Sequence, residues 1–231
     1  MRRPLVISHA ACGGHAPENT LAGIREAVRL GAGAIEIDVQ TCADSVPVLM
    51  HDLTVDRTTN GTGEVATLSL LQLRALDAGG EPVPTLAEVL TLTIREALLV
   101  IEIKQPGIED NIVRVVHESE ALNDVMVWSF FPRALASMRQ VEPRIPGGLL
   151  VSFEMLPRWP QMRESALRHG LQAVSVFYTG INEQLVVDCQ RSGLALYAWT
   201  PDSKRDIARL IELGVDGICT NFPDKAIALL R

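Results

Sequence analysis

Apolar runs of strand length recur along the chain. They are separated by stretches in which apolar residues return every three or four positions. The runs cover residues 5–8, 34–39, 98–103, 125–129, 148–152, 173–176, 194–199 and 217–220. A further run at 46–50 reads as an extension of the second or a hairpin attached to it. Between the runs, residues 20–30, 110–118, 133–141, 182–191 and 203–213 carry the helical period, with Gly31, Gly193 and Gly214 placed to end three of them. Strands alternating with helices imply a parallel sheet.

Eight such units in 231 residues fit a single-domain α/β fold, the TIM (β/α)8 barrel, for which roughly 250 residues is typical. A doubly wound open sheet is the alternative, and no G-x-G-x-x-G follows a strand to support its dinucleotide-binding form. No linker or composition shift divides residues 1–231. Two segments, 53–81 and 153–161, exceed a simple strand-to-helix loop and are candidates to cap the barrel mouth.

Chemistry concentrates in residues 35–52. On a strand, Glu36 and Asp38 share one face while Ile35, Ile37 and Val39 share the other. Two adjacent buried carboxylates repel and lose hydration, and a divalent cation is the simplest compensation. In a barrel the active site lies at the C-terminal strand ends. The polar residues expected there are His9, Glu36, Asp38, His51, Asp52, Glu102 and Lys104. Three carboxylates from two neighbouring strands make a hard oxygen site suited to Mg2+ or Ca2+ rather than Zn2+. His9 and His51 can serve as general acid and base. Lys104 can neutralise an anionic substrate or the carboxylates. His15, His117 and His169 read as structural or solvent-facing, and Thr58-Thr59-Asn60-Gly61-Thr62-Gly63 reads as turns rather than a phosphate cradle.

Composition narrows the partners. Hydrophobic residues make up 47% of the chain, ample for a large core, and aromatics only 4%, so aliphatic side chains must build it. The net charge of -7 disfavours nucleic acid, whose phosphates need clustered Lys and Arg. It leaves room for a small phosphorylated substrate held through a metal. No apolar run reaches the roughly 18 residues of a membrane span, so stable membrane insertion is not expected. Arg2 and Arg3 precede an apolar segment too short for a signal-peptide core. Cys12, Cys42, Cys189 and Cys219 form no C-x-x-C pair, which points to a reduced, cytoplasmic protein. They read as small hydrophobes, with Cys12 able to face the site from the first loop. A homodimer is compatible with all of this.

Several motifs, in order, resemble the glycerophosphodiester phosphodiesterase family. They are H-A-P-E-N-T (15–20), A-I-E-I-D-V-Q-T (34–41), P-V-L-M-H-D (47–52), D-R-T-T-N-G-T-G (56–63), P-T-L-A-E-V-L (84–90), I-E-I-K (101–104), W-S-F (128–130), A-W-T (198–200) and G-V-D-G-I-C-T-N-F-P (214–223). The resemblance implies a TIM barrel that hydrolyses glycerophosphodiesters to sn-glycerol 3-phosphate and an alcohol with a divalent metal. It implies metal binding by Glu36, Asp38 and Glu102 and acid/base roles for His9 and His51. It also implies a phosphate contact from Lys104 and a pocket wall at Trp199. The segment after His51 is short beside the insertions of many relatives, so the alcohol is poorly specified. One departure stands out: the family's His-Arg-Gly is His9-Ala10-Ala11 here. A phosphate-binding guanidinium has no substitute in alanine, though Lys104 or His15 could replace part of its charge. Two alternatives follow. One is a lysophospholipase D-like enzyme, suggested by the apolar segment at 153–159. The other is a catalytically impaired phosphate-binding barrel.

Overall fold

Alternate residues of each strand face opposite ways, and here both faces are apolar for most of their length. The computed structural model describes residues 3–231, so Arg2 of the arginine pair lies outside the described residues. Its strands are β1 (Leu5–Ser8), β2 (Ala34–Thr41), β3 (Pro47–Leu49), β4 (Leu98–Ile103), β5 (Val125–Ser129), β6 (Gly147–Val151), β7 (Ala173–Phe177), β8 (Ala195–Trp199) and β9 (Gly217–Thr220). They pair in the order β1-β9-β8-β7-β6-β5-β4-β2, and β1 pairs back to β2. Eight parallel strands therefore close into a TIM barrel, and closure excludes the open doubly wound sheet. β3 runs antiparallel to β2, with Val39 opposite Leu49, so the 46–50 run is a hairpin.

The helices are α1 (Leu21–Leu30), α2 (Leu70–Arg74), α3 (Leu86–Thr93), α4 (Glu109–Glu118), α5 (Pro132–Val141), α6 (Trp159–Arg168), α7 (Glu183–Ser192), α8 (Lys204–Leu213) and α9 (Pro223–Leu229). Thr20, Asn182 and Ser203 cap α1, α7 and α8 by accepting backbone N–H groups, and Gly31, Gly193 and Gly214 end them in the left-handed conformation. The segment at 153–161 is not a loop. A 3-10 turn at Phe153–Arg158 runs directly into α6. Pro160 is tolerated because it falls in the first turn, where its missing N–H costs nothing. The segment at 53–81 folds over the β2–β3 hairpin, where Val55, Val65, Leu73 and Ala78 make a small core with Val48 and Met50.

The period of two decides what enters the barrel. Ile35, Ile37, Val39, Leu99, Ile101 and Ile103 point outward into the helix-covered core. Ala34, Val100, Met126, Trp128 and Leu150 fill the interior. Gly148 makes room for the Trp128 indole, since a Cβ there would stand 2.7 Å from the ring. Continuing along the inward rows of β2 and β4, the next residues are Glu36, Asp38 and Glu102, and Asp38 lies in register with Glu102. The apolar plug thus gives way to an acidic layer towards the C-terminal strand ends. Among the described residues no helix is long and apolar enough to cross a membrane.

Candidate active site

Glu36, Asp38 and Glu102 are buried, and one oxygen of each lies within 4.8 Å of the others. The chain holds two of them with neutral donors. Asn19 Nδ2 donates to Asp38 Oδ2 at 2.7 Å, and Asn19 Oδ1 accepts from the Asp38 backbone N–H at 3.0 Å. The Ala10 N–H donates to Glu36 Oε2 at 2.8 Å. Glu36 Oε1 is buried with no partner among the described residues. Lys104 Nζ sits 2.9 Å from Glu102 and 3.2 Å from Asp38. Burial drives the Glu36 carboxyl well above the usual carboxylate range, and the charges of Asp38 and Glu102 add to this. Burial, then Asp38, lifts Glu102 to about 6, against the pull of Lys104. Burial also works against the Lys104 ammonium, but Asp38 and Glu102 outweigh it and raise its pKa. One lysine therefore does not balance three carboxylates. A lone buried oxygen in a compact, all-oxygen donor set fits a hard divalent cation.

The two histidines flank this layer. His9 follows β1, and its Nδ1 lies 2.9 Å from Asn221 Oδ1. Asn221 Nδ2 donates to Asp202 Oδ2 at 2.8 Å, which turns the Asn221 carbonyl towards the imidazole and assigns the proton to His9 Nδ1. His9 Nε2 then faces the cluster, 3.9 Å from Glu36 Oε2. His51 Nδ1 lies 2.7 Å from Asp52 Oδ1. Asp52 also accepts from Arg57 Nε at 2.6 Å, and Arg57 in turn bonds Glu18 at 2.6 and 2.9 Å. The Arg57 hydrogen bond, followed by that of His51, pulls the Asp52 carboxyl down to about 2. An ionised Asp52 fixes the proton on His51 Nδ1 and leaves Nε2 free. Gln40 clamps the turn that carries His51 by donating to the carbonyls of Met50 and Asp52.

His9, Glu36, His51, Glu102, Lys104 and Trp199 all line one small cavity, and Asp38 lies in the donor set beside it. The expectation that Cys12 faces the site is corrected. Cys12 is buried in the helix-covered core, and Cys219 lines the cavity instead. His15 is not free to replace a cation, because its Nε2 pairs with Asp224 at 2.7 Å. Residues 56–58 form a turn that continues into irregular chain to Gly63, held by its neighbours: Asn60 Oδ1 accepts from Asp77 N–H, and Gly63 N–H donates to Asp56. Asn19, Arg57, Asp202 and Asn221 went unassigned at the level of sequence. Three of them lie within motifs quoted above, 15–20, 56–63 and 214–223, which was the available signal.

Ala10 and Ala11 both adopt the left-handed region, at φ 47° and 66°. Glycine at position 11 would enter it without the Cβ penalty. Here the Ala11 methyl is accommodated by Gly23 of α1, where a Cβ would come within 2.9 Å of it. The loop grips Glu36 through main-chain donors, Ala10 N to Oε2 and Ala11 N to the Glu36 carbonyl, both at 2.8 Å. The acidic layer is therefore indifferent to the side chain at position 10. Ala10 lines a cavity of about 590 Å³ together with His9, His51, Asp52 and Arg57. Arg57 is the guanidinium in that wall, and two carboxylates already engage it.

The model of the glycerophosphoryl diester phosphodiesterase family matches residues 9–225. The chain belongs to this family. Family membership makes it a phosphoric diester hydrolase by kinship. A glycerophosphodiester phosphodiesterase of Caldanaerobacter subterraneus subsp. tengcongensis is 38% identical over 243 residues, covering 99% of this chain and 98% of that one. A solved Oleispira antarctica phosphodiesterase, in complex with the product sn-glycerol-3-phosphate, superposes with a TM-score of 0.87 at 28% identity, covering 98% and 96% of the two chains. An Agrobacterium tumefaciens glycerophosphodiester phosphodiesterase superposes at 0.84 with 25% identity, covering 97% and 99%.

Proposed function

We propose that the chain hydrolyses a glycerophosphodiester to sn-glycerol 3-phosphate and an alcohol, with a divalent cation, Mg2+ or Ca2+, held by Glu36, Asp38 and Glu102. The observation that carries this is the buried carboxylate triad flanked by two histidines that line the same cavity and are each held at Nδ1. When bound, the cation supplies positive charge against the phosphoryl oxygens. His9 Nε2 takes the proton from the attacking oxygen. His51 enters the step carrying a proton on each ring nitrogen, its Nδ1–H held by Asp52. It gives the Nε2 proton to the departing alcohol oxygen as its bond to phosphorus breaks. The proton taken up by His9 then leaves to solvent, and His51 takes one back. Asn221 and Asp52 each hold a ring through its Nδ1–H, so both rings are oriented before substrate arrives. Lys104 contacts the phosphate, and Trp199 lines the pocket. The four cysteines are free and buried, which supports a reducing, cytoplasmic setting.

The test is release of glycerol 3-phosphate from glycerophosphocholine in the presence of Mg2+ or Ca2+. Turnover is expected to stop with EDTA. It should fall by about 10²-fold or more in His51→Ala. Activity that persists through both treatments overturns the scheme.

A further inference from the structure

His51 and the carboxylate triad are held by separate parts of the chain, and one side chain grips both supports. Arg57 sits in the turn at 56–58, within the segment that folds over the β2–β3 hairpin. One edge of its guanidinium holds Asp52, with Nε to Oδ2 at 2.6 Å and Nη2 to Oδ1 at 3.2 Å. Nη1 and Nη2 hold Glu18 at 2.9 and 2.6 Å. Two carboxylates are thus each bound by a pair of N–H groups, a pattern that the planar five-donor fork of arginine provides and an ammonium does not.

The first carboxylate leads to the acid, because Asp52 Oδ1 holds His51 Nδ1 at 2.7 Å. The second leads to the triad. Glu18 is followed by Asn19, whose side-chain amide exchanges two hydrogen bonds with Asp38, at 2.7 and 3.0 Å. The Asn19 N–H also donates to the Ala10 carbonyl at 3.0 Å, and the Ala10 N–H donates to Glu36 Oε2 at 2.8 Å. Asn19 therefore sets Asp38 directly and Glu36 through one residue. Its backbone is left-handed, at φ 55°, so a rotation of the Glu18–Asn19 peptide would move both contacts. Glu81 clamps the chain just beyond, accepting from the Ala22 N–H at 2.7 Å and from Arg25 at 3.0 Å. That clamp reaches α1 alone. The Arg57 clamp reaches the loop before α1 and the acid together.

Stability does not account for the arrangement. The Arg57 side chain is half exposed, and ion pairs at that exposure contribute little. A phosphate contact does not account for it either, since the fork is already occupied by Glu18 and Asp52. We infer that Arg57 is a positioning residue that couples the two halves of the site, fixing His51 through Asp52 and the carboxylates Asp38 and Glu36 through Glu18 and Asn19. The inference rests on the phosphodiesterase reading above.

The experiment takes two measurements on the full chain. One is calorimetric titration with Mg2+ or Ca2+ and no substrate; the other is kcat and KM on glycerophosphocholine at saturating cation. Asp52→Ala should lower kcat and keep the cation affinity of the wild type. Glu18→Ala should weaken the cation about tenfold, the size of effect seen when groups that orient metal ligands are removed, and its kcat should recover once the cation saturates. Arg57→Met should lose about tenfold or more in both cation affinity and kcat, with KM nearly unchanged. Arg57→Lys keeps the charge without the fork and should restore neither quantity. Recovery of both by lysine reduces the role to charge and overturns the inference. So does a raised KM with kcat and cation affinity intact in Arg57→Met, because Arg57 then serves the phosphate. A wild type that binds the cation and turns over, beside an Arg57→Met that does both equally well, overturns the inference alone. A wild type that neither binds the cation nor hydrolyses the diester overturns the phosphodiesterase reading and the inference with it.

Discussion

At the scale of single residues, the site depends on partners that set protons and charges. Asp52 is the clearest case. Its carboxyl, held down to about 2 by Arg57 and then His51, binds protons less readily folded than unfolded, where 3.8 is ordinary. Its contribution to stability is therefore complete above about pH 4 and is lost as pH falls towards 2. The side chain is 32% exposed, so solvent screening limits the contribution to about 1 kcal/mol. Asp52→Asn should lower stability by that amount near pH 6, with the gap narrowing as wild type and variant are unfolded in urea at successively lower pH. A gap that stays constant to about pH 2.5 would show that Asp52 stabilises by packing alone. Position 10 allows the opposite kind of change. Ala10 lines the 590 Å³ cavity beside both histidines, and its structural duty is carried by its N–H. Ala10→Arg should therefore leave Glu36 in place and supply a guanidinium to the phosphate. The expected gain in kcat/KM on glycerophosphocholine is about tenfold or more. A drop would show that the cavity is needed empty.

At the scale of elements, the contact between α1 and the loop after β1 is unusually close. A Cβ at Gly23 would meet the Ala11 methyl at 2.9 Å, Cys12 N at 3.2 Å and the Pro17 carbonyl at 3.3 Å. Alanine normally gains about 1 kcal/mol over glycine inside a helix. Here overpacking should outweigh that and leave Gly23→Ala destabilised by about 1–2 kcal/mol in urea unfolding. Adding Ala11→Gly should restore most of the loss, since it removes the methyl and suits φ 66°. Without rescue, the clash must lie with the Pro17 carbonyl instead. Such contacts mark where sequence reading stops. The strands were legible because their apolar runs are bounded, and Glu36, Asp38, Glu102 and Lys104 because a period of two puts them on one face. Five helices were legible from their 3.6 period. α6 was hidden behind Pro157 and Pro160, which read as breakers until their place in the turn is known. α3 and the short α2 and α9 were likewise missed. Asn19, Asn221 and Arg57 act across 19, 212 and 39 positions of chain, a pairing that no local period encodes.

At the scale of the whole molecule, the barrel carries an electrostatic defect at its mouth. Three buried carboxylates face one lysine in a chain whose net charge is -7. Burial and mutual repulsion already push Glu36 and Glu102 towards protonation. A divalent cation at the triad would relieve both costs, and it would favour the folded chain alone, because the triad is assembled from β2 and β4 by their register. Ligand binding to the native state adds about 2.7 kcal/mol at a free concentration of 100 Kd. For a chain of this length that corresponds to a rise of roughly 5 to 10 °C in Tm. Scanning calorimetry after EDTA, and again with Mg2+ or Ca2+ restored, should show that rise. Glu36→Gln should abolish most of it, because it removes the charge of the carboxylate whose Oε1 has no other partner among the described residues. The measurement needs no substrate, so it tests the cation site independently of catalysis. An identical Tm across EDTA, Mg2+ and Ca2+ would mean that Lys104 alone balances the triad. Glu102 would then be shared in a lysine-bridged network, and the carboxylates would be a structural feature of the barrel.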